Sequence, residues 1–151
     1  MKQSNNSKQS LERVTKLGDR ANLGTRGSDG NTIFLYLHWG GSEINETMAQ
    51  AIAKAMVRDG DESYFTRIFV SSVIGLDWNR ETGVGMLVNK LPSSGDGYDV
   101  PVYDYVSKEI SIHSEKWDEA GGYIDLEPIE EYDRDIFIAK YGMVTRGANN
   151  Y

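Results

Sequence analysis

The chain has 151 residues and a formal charge of −7, from 23 acidic and 16 basic side chains, and 39% of its residues are hydrophobic. That share is enough for a core and excludes disorder throughout, while the negative charge argues against a general nucleic-acid binder. The absence of cysteine excludes disulfides, thiolate metal sites and a cysteine nucleophile, and makes a reducing cytoplasm the expected location.

The N-terminal segment, residues 1–18, is expected to be a flexible arm. Its first ten residues have no apolar side chain after Met1, so they cannot offset the entropy lost on ordering. A solvated terminus is the simpler interpretation, and an arm that binds a partner or self-associates is the alternative. Nothing near Met1 resembles a signal peptide, and no run reaches the roughly 18 apolar residues of a membrane span. Residues 19–151 are predicted to form a single α+β domain.

A β-hairpin is predicted at the start of this domain. Its strands, residues 20–26 and 32–38, flank the turn Ser28-Asp29-Gly30-Asn31, in which Asp-Gly supplies the positive φ angles of a tight turn. Alternate residues of the second strand are aliphatic on one face and aromatic on the other. This strand is therefore expected to be central and covered on both sides.

Two consecutive helices are predicted after the hairpin. Gly40-Gly41 breaks the strand, Ser42 is the expected N-cap, and apolar residues then recur at helical spacing as far as Asp59-Gly60. A second helix begins near Asp61 and ends at Gly75. Because only a very short loop joins them, the helices are expected to pack as an antiparallel or sharply angled pair.

An antiparallel β meander is predicted to follow. The expected fold class is therefore α+β, with an N-terminal hairpin, two consecutive helices and then the meander in one domain. The strands of the meander cover residues 83–89, 98–106 and 109–113, and Pro101 places the second of them at an edge or a bulge. Residues 135–144 are expected to add a last strand, with a short helix as the alternative.

The C-terminal part of the chain, residues 115–151, is predicted to be an acidic extension of the domain. Nine acidic residues lie within residues 115–135, against only Lys116 and Arg134. Such a run is usually a solvated face or loop. The alternative is a protein-binding surface that imitates the charge of nucleic acid.

The sequence contains no recognisable catalytic or metal-binding motif. With only His38 and His113, a three-histidine zinc site is impossible, and each histidine is better explained by packing or a surface position at a strand end. There is no Gly-x-Ser-x-Gly elbow and no phosphate-loop pattern, and Gly83-Val84-Gly85 lacks the third glycine of a dinucleotide fingerprint. No metal, cofactor or catalytic residue is therefore predicted.

The best candidate site is the run His38-Trp39-Gly40-Gly41-Ser42. A strand ends there, two glycines allow close approach of the backbone, and the free N–H groups of the next helix suit an anion or phosphate. Trp39 can stack on a base or ring, and His38 or Ser42 can donate a hydrogen bond. The competing interpretation is that Gly-Gly is only the turn that the chain reversal needs, and that Trp39 plugs the core.

Three further residues are included in the candidate ligand site. Arg67 lies in the second helix beside apolar neighbours, and it is either a surface residue or a partner for a carboxylate or ligand. Thr82 and Gly83 lie between the second helix and the meander. Their segment either lines a pocket or is a plain connecting loop.

Three segments carry a resemblance to a known family. They are residues 33–42, which end in His-Trp-Gly-Gly-Ser, the run Tyr64-Phe65-Thr66-Arg67-Ile68, and the run Glu81-Thr82-Gly83-Val84-Gly85. In order and spacing, over roughly residues 19–113, they resemble a small family of uncharacterised proteins that is common in bacteriophage and prophage genomes. The resemblance implies a phage-encoded accessory protein of the host cytoplasm rather than a metabolic enzyme.

Three functions are compatible with these features. The first is a non-enzymatic accessory protein of host takeover or counter-defence, which sequesters a nucleotide-like signalling molecule or blocks a host protein. The second is a small nucleotide-processing hydrolase with His38 or His113 as general base. The third is an inhibitor that presents its acidic surface to a host DNA-binding protein. No direct binding to nucleic acid or membrane is expected, and homo-oligomerisation is left open.

Overall fold

The computed structural model describes residues 19–142, which form a six-stranded sheet, a two-stranded ribbon and three α-helices. In chain order the elements are β1 (Ala21–Arg26), β2 (Thr32–Leu37), α1 (Ile44–Ala55), α2 (Glu62–Ile74), β3 (Val84–Val88), β4 (Val100–Asp104), β5 (Glu109–His113), β6 (Glu115–Asp118), β7 (Gly121–Ile124), β8 (Glu130–Asp133) and α3 (Arg134–Phe137). The α+β class is confirmed. The predicted arm and the last nine residues of the predicted C-terminal extension lie outside the described residues.

The strands of the large sheet are ordered β3-β2-β1-β4-β5-β8, and every neighbouring pair is antiparallel except β1 and β4. The predicted hairpin is confirmed, with Ala21 opposite Leu37. Of the predicted meander, the antiparallel pairing of β4 with β5 is confirmed. The predicted pairing of β3 with β4 is wrong, because β3 pairs with β2 whereas β4 pairs with β1, on the other side of the hairpin. The segment that joins β3 to β4, residues 89–99, is long, so it does not force the two strands to be neighbours.

Pro101 marks neither an edge nor a bulge, because β4 lies inside the sheet between β1 and β5. Pro101 is opposite Ile112 of β5, but the parallel register with β1 begins only at Val102. The proline therefore lies at the beginning of the strand, where its missing N–H removes no bond within that register.

The two long helices cover one face of the sheet and form the larger core with it. Side chains of both helices and of three strands are fully buried there: Leu23, Leu35, Met48, Ile52, Phe65, Phe69 and Tyr103. The predicted helix pair is confirmed, since α1 and α2 are joined by a short segment and pack against each other. Both helices are held by their apolar faces, as the helical spacing of those residues indicates.

The opposite face of the sheet is covered only in part. Phe34 belongs to a second buried cluster, which contains Leu91, Val100, Val102 and Ile124. Farther along the chain, Tyr36 of β2 and His38, which follows this strand, are only half-buried. The prediction that β2 is central and covered on both sides therefore holds at Phe34, and the face is open next to Tyr36 and His38.

The acidic residues 115–135 are largely exposed, as expected of a solvated face, but most of them lie in regular structure and not in a loop. They build the ribbon of β6 and β7 and then the edge strand β8. Trp117 lies directly over Gly122 of the facing strand, where a Cβ would come within 2.6 Å of the indole. The ribbon packs on the sheet through Ile124, which explains how so acidic a segment is held in regular structure.

The strand predicted for residues 135–144 is wrong, because the chain is helical from Arg134 to Gly142. Asp133 caps this helix by accepting a hydrogen bond from the Asp135 N–H at 3.0 Å. Phe137 is fully buried, with its ring centroid 4.8 Å from that of Tyr141, four residues later. This helical spacing, together with the cap, outweighs the β propensity of the three consecutive apolar residues.

An ion-pair network fastens the turn between α1 and α2 to two distant segments. The Asp59 carboxylate accepts hydrogen bonds from Lys108 Nζ at 3.2 Å and from Arg134 Nη1 at 3.1 Å. Arg134 also donates to the Tyr103 hydroxyl. Partial burial raises the pKa of Asp59, but the hydrogen bonds and charges of Lys108 and Arg134 outweigh it, and the pKa is lowered overall.

This network predicts a loss of stability in acid. Because the folded-state pKa of Asp59 is lowered, its contribution is fully present above the unfolded-state pKa of about 4 and is lost as the pH falls through the folded-state value. We expect Asp59→Asn to lower the free energy of unfolding by about 1 kcal/mol at neutral pH, the scale of partly exposed ion pairs, and by much less in strong acid. Urea denaturation at both pH values measures this difference, and an equal effect at both would contradict it.

Candidate functional site

The end of β2 places three aromatic rings in a row. The His38 ring centroid lies 5.1 Å from that of Trp39, at an interplanar angle of 83°, and His38 Nδ1 is 3.0 Å from the Tyr36 hydroxyl. The side chain of Trp39 is 59% exposed. The interpretation of Trp39 as a core plug is therefore wrong.

A cleft of about 570 Å³ opens beside this row of rings, and we call it the Trp39 cleft. Its lining residues are Tyr36, His38, Trp39, Glu81, Thr82, Gly83, Val84 and Gly85. The pairing of β2 with β3 builds the cleft: Gly85 is opposite Tyr36, and the His38 N–H donates to the Gly83 carbonyl at 2.8 Å. Four of the eight site residues predicted from the sequence therefore line one cleft, namely His38, Trp39, Thr82 and Gly83.

The β3 side of the Trp39 cleft has little side-chain bulk. Gly83 has a φ of 109°, and a Cβ there would lie 2.8 Å from Asp77 Oδ2. A Cβ on Gly85 would meet only Pro92, at an ordinary 3.8 Å. Both the backbone conformation and the close neighbour therefore require glycine at position 83. Together, Gly83 and Gly85 leave room for a flat group beside the aromatic row.

The Trp39 cleft is poor in positive charge. Among the described residues no lysine or arginine lines it, and Glu81 brings a carboxylate to its rim. The nearby Arg20, which also interacts with Tyr36, is held by Asp96 through a 2.7 Å ion pair. The cleft therefore suits a neutral ring better than a phosphate group.

Trp39 also lines a second cleft, of about 600 Å³, which we call the Gly40 cleft. This cleft lies between the end of β2, the beginning of α1 and the end of α2, and it includes Gly40, Leu76 and Gly83. The exposed indole of Trp39 therefore separates two clefts that share Gly83 in their walls. The predicted site residue Gly40 thus lines the Gly40 cleft and not the Trp39 cleft.

The other three predicted residues lie elsewhere. Gly41 and Ser42 line a third depression, next to Tyr98 and Asp99. Arg67 is exposed on α2 and lines neither the Trp39 cleft nor the Gly40 cleft. The structure therefore brings five of the eight residues to the two clefts around Trp39 and leaves Gly41, Ser42 and Arg67 outside them.

The predicted anion site before α1 is filled by a carboxylate of the protein itself. The Gly41 N–H donates to the Asp19 carbonyl at 2.7 Å, and the Ser42 N–H donates to Asp19 Oδ2 at 3.0 Å. Tyr98 donates to the other carboxylate oxygen of Asp19 at 2.7 Å. The prediction that free N–H groups here await a phosphate is therefore wrong.

The predicted N-cap Ser42 is also wrong, because its side chain caps no helix. Gly40, with a φ of 90°, precedes a 3-10 turn at residues 41–43, and α1 begins only at Ile44. Asp19 reaches this turn because the hairpin register continues beyond β1, where the Asp19 N–H donates to the His38 carbonyl. Extending the first predicted strand, residues 20–26, by one residue would have indicated Asp19 as the partner.

Replacement of Asp19 is therefore expected to cost more stability than replacement of Ser42. Asp19→Ala removes the acceptor of the Ser42 N–H and of Tyr98, and we expect a loss of about 1 kcal/mol in the free energy of unfolding, as for other capping carboxylates. Ser42→Ala is the matched control, and we expect a change of no more than about 0.5 kcal/mol. Urea denaturation of the two variants compares them; a larger loss for Ser42→Ala would restore Ser42 as the cap.

His113 has a structural role in the fold. It is buried, and its two ring nitrogens lie 2.8 Å from Ser111 Oγ and 2.7 Å from the Asp125 carbonyl oxygen. These contacts tie β5 to the end of the ribbon, so His113 is not placed to act on a ligand. Within residues 19–142, no group of three or more histidines and carboxylates is arranged to hold a metal ion.

The sequence interpretation missed a cleft of about 760 Å³ between β2 and the ribbon. Arg26, Lys116 and Tyr123 line it, and the two cations are only loosely paired, with Asp104 at 3.7 Å and Asp125 at 3.9 Å. The sequence does not predict this cleft because the acidic region, as a solvated face or loop, is not expected to contain the strands that form one of its walls. The turn of the ribbon is Glu119-Ala120, and the two glycines that follow it, at positions 121 and 122, are the local signal of a chain reversal there.

Comparisons with protein-family models, with curated proteins and with solved structures find no match to this chain. No helix in the described part of the chain has the length and apolar character needed to cross a membrane. A function for the chain is therefore proposed from the geometry around Trp39.

Proposed function

We propose that the protein is a non-enzymatic accessory protein of the phage type, which acts in the host cytoplasm by sequestering a nucleotide-like signalling molecule in the Trp39 cleft. The observation that carries this proposal is the exposed indole of Trp39 beside the glycine-lined edge of β3. An exposed tryptophan next to open backbone suits stacking on a planar ring, since the rigid indole gains contact area at a small cost in entropy.

In this proposal the base of the ligand provides most of the binding free energy. Glu81 at the rim disfavours a phosphate, and Asp19 already occupies the N–H groups before α1. The Thr82 hydroxyl can donate to or accept from the edge of a base. The phosphates of a nucleotide would then point toward solvent.

Isothermal titration of the full chain with nucleosides, nucleotides and cyclic dinucleotides tests this proposal. We expect saturable binding of ligands that share one base, with a nucleoside and its monophosphate within about tenfold of each other, or about 1.4 kcal/mol. The reason is that none of the described residues that line the cleft is a lysine or an arginine. A panel in which nothing binds, or in which inorganic phosphate competes with every ligand, would contradict the proposal.

Blocking of a host protein is the alternative use of the same surface. Trp39 shares the Gly40 cleft with Leu76, which is 95% exposed, and clusters of exposed apolar side chains are typical of protein interfaces. A host protein that the wild type retains and Trp39→Ala loses, with no small molecule bound, would favour this function. A retained partner that is released steeply by salt would instead indicate the acidic surface.

Product analysis distinguishes a hydrolase, with His38 as general base, from a protein that only binds a small molecule or a host protein. If the protein turns over a ligand of the panel and His38→Ala abolishes turnover while the fold persists, the enzyme replaces the binding protein. Binding without turnover supports sequestration.

A further inference from the structure

The two edges of the large sheet differ in their chemistry. At one edge, β8 exposes Glu130, Glu131 and Asp133, and such charges prevent strands from pairing edge to edge. At the other edge, β3 contains no charged residue, and Met86 is 54% and Val88 56% exposed. Among the described residues no strand pairs with the outer side of β3. The β3 edge therefore lacks the charged side chains that would prevent another strand from pairing with it.

The backbone groups that β3 offers can be assigned from its pairing with β2. The Asn89 N–H donates to the Thr32 carbonyl, and the Gly83 carbonyl accepts from His38, so the odd-numbered residues of this segment turn their backbone groups toward β2. In an antiparallel pair the intervening residues turn theirs away. The N–H and C=O groups of Val84, Met86 and Val88 therefore point outward.

We propose that β3 pairs with β3 of a second copy of this chain, antiparallel, about a two-fold axis at Met86. In this register Met86 is opposite Met86 of the second copy, and Val84 is opposite Val88. All three outward-facing residues then exchange backbone hydrogen bonds with their partners. The two six-stranded sheets become one continuous sheet.

The charges at the ends of β3 favour this antiparallel arrangement. Glu81 precedes the strand and Lys90 follows it, both are exposed, and neither forms an ion pair with a described residue. Antiparallel pairing brings Glu81 of each copy toward Lys90 of the other, whereas parallel pairing would bring like charges together. Self-pairing of β8 would place carboxylates against one another, so β3 is the edge that associates.

Sedimentation velocity of the full chain over a wide range of concentration tests the dimer. We expect the wild type to dimerise and Met86→Lys to weaken dimerisation by roughly 100-fold, because two lysines would face each other across the axis. The matched control is Val106→Lys, at a side chain 65% exposed in the turn between β4 and β5, which we expect to dimerise like the wild type. Circular dichroism melting checks that both variants are folded.

Mixing variants tests the register. Met86→Glu alone should dimerise as weakly as Met86→Lys, and an equimolar mixture of the two should form a heterodimer, because only the symmetric register puts residue 86 opposite itself. Native mass spectrometry distinguishes the heterodimer from either homodimer. A wild type that stays monomeric at all concentrations, a Met86→Lys dimer as strong as that of the wild type, or a mixture that stays monomeric would each overturn the proposal.

Discussion

Replacing Gly41 by valine is expected to lower the free energy of unfolding by about 3 kcal/mol or more, because the site is already at van der Waals contact. A Cβ at this position would lie 2.8 Å from the Asp19 carbonyl oxygen and 2.8 Å from Cε2 of Tyr98. The carbonyl belongs to backbone that is fixed by the hairpin, and the Gly41 N–H bonds to the same oxygen. Urea denaturation measures the loss.

Gly40 provides the matched control for this prediction. Of the two adjacent glycines it is Gly40 that has a positive φ, of 90°, and a Cβ there meets nothing within 4 Å. Gly40→Asn is therefore expected to cost about 1 kcal/mol or less, since asparagine tolerates the left-handed region. Equal losses for the two variants would show that conformation, and not close approach, is what both positions require.

The elements that could be predicted are those that local residues determine. Asp29-Gly30 sets the tight turn of the hairpin, and the register of β1 and β2 follows from it. The apolar spacing in α1 and α2 indicates which face each helix buries, and Gly75 ends α2 as expected. In each case the signal is local, because the turn residues or the helical spacing can be identified within a few consecutive positions of the sequence.

The pairing of β3 and β4 could not be predicted, because no local signal names the partner of a strand. Residues 89–99 contain no tight turn, so either open edge of the hairpin was available to each strand. Asp133 and Phe137 show the same limit at the C-terminus. The cap by Asp133 and the burial of the Phe137 ring decide between helix and strand there. Because Phe137 is buried in the core with α1, its burial is seen only in the tertiary structure.

The candidate site was predicted in part for the same reason. His38 and Trp39 follow the buried strand β2, and Thr82 and Gly83 precede the edge strand β3, so their chemistry could be identified without knowing that the two strands pair. Gly41 and Ser42 were included because a helix N-terminus suits an anion, but the anion is Asp19, more than twenty residues earlier in the chain. A local motif cannot reveal a ligand supplied by another part of the same chain.

Replacing Trp39 by alanine is expected to weaken ligand binding by roughly 1–3 kcal/mol, the scale of one base stacked on one aromatic ring. The melting temperature should hardly change, because the side chain is 59% exposed and substitutions at such positions usually alter the free energy of unfolding by about 0.5 kcal/mol or less. Calorimetric titration and thermal melting on the same sample of Trp39→Ala measure both quantities.

Trp78 is the matched control, since its side chain is 60% exposed and lines neither the Trp39 cleft nor the Gly40 cleft. Trp78→Ala removes an equal area of exposed indole, so it should leave both the affinity and the melting temperature close to those of the wild type. If Trp78→Ala weakened binding as much as Trp39→Ala, the ligand would not be held by the rings at the end of β2. A fall in melting temperature for Trp39→Ala, with affinity unchanged, would return Trp39 to a structural role and remove the proposed site.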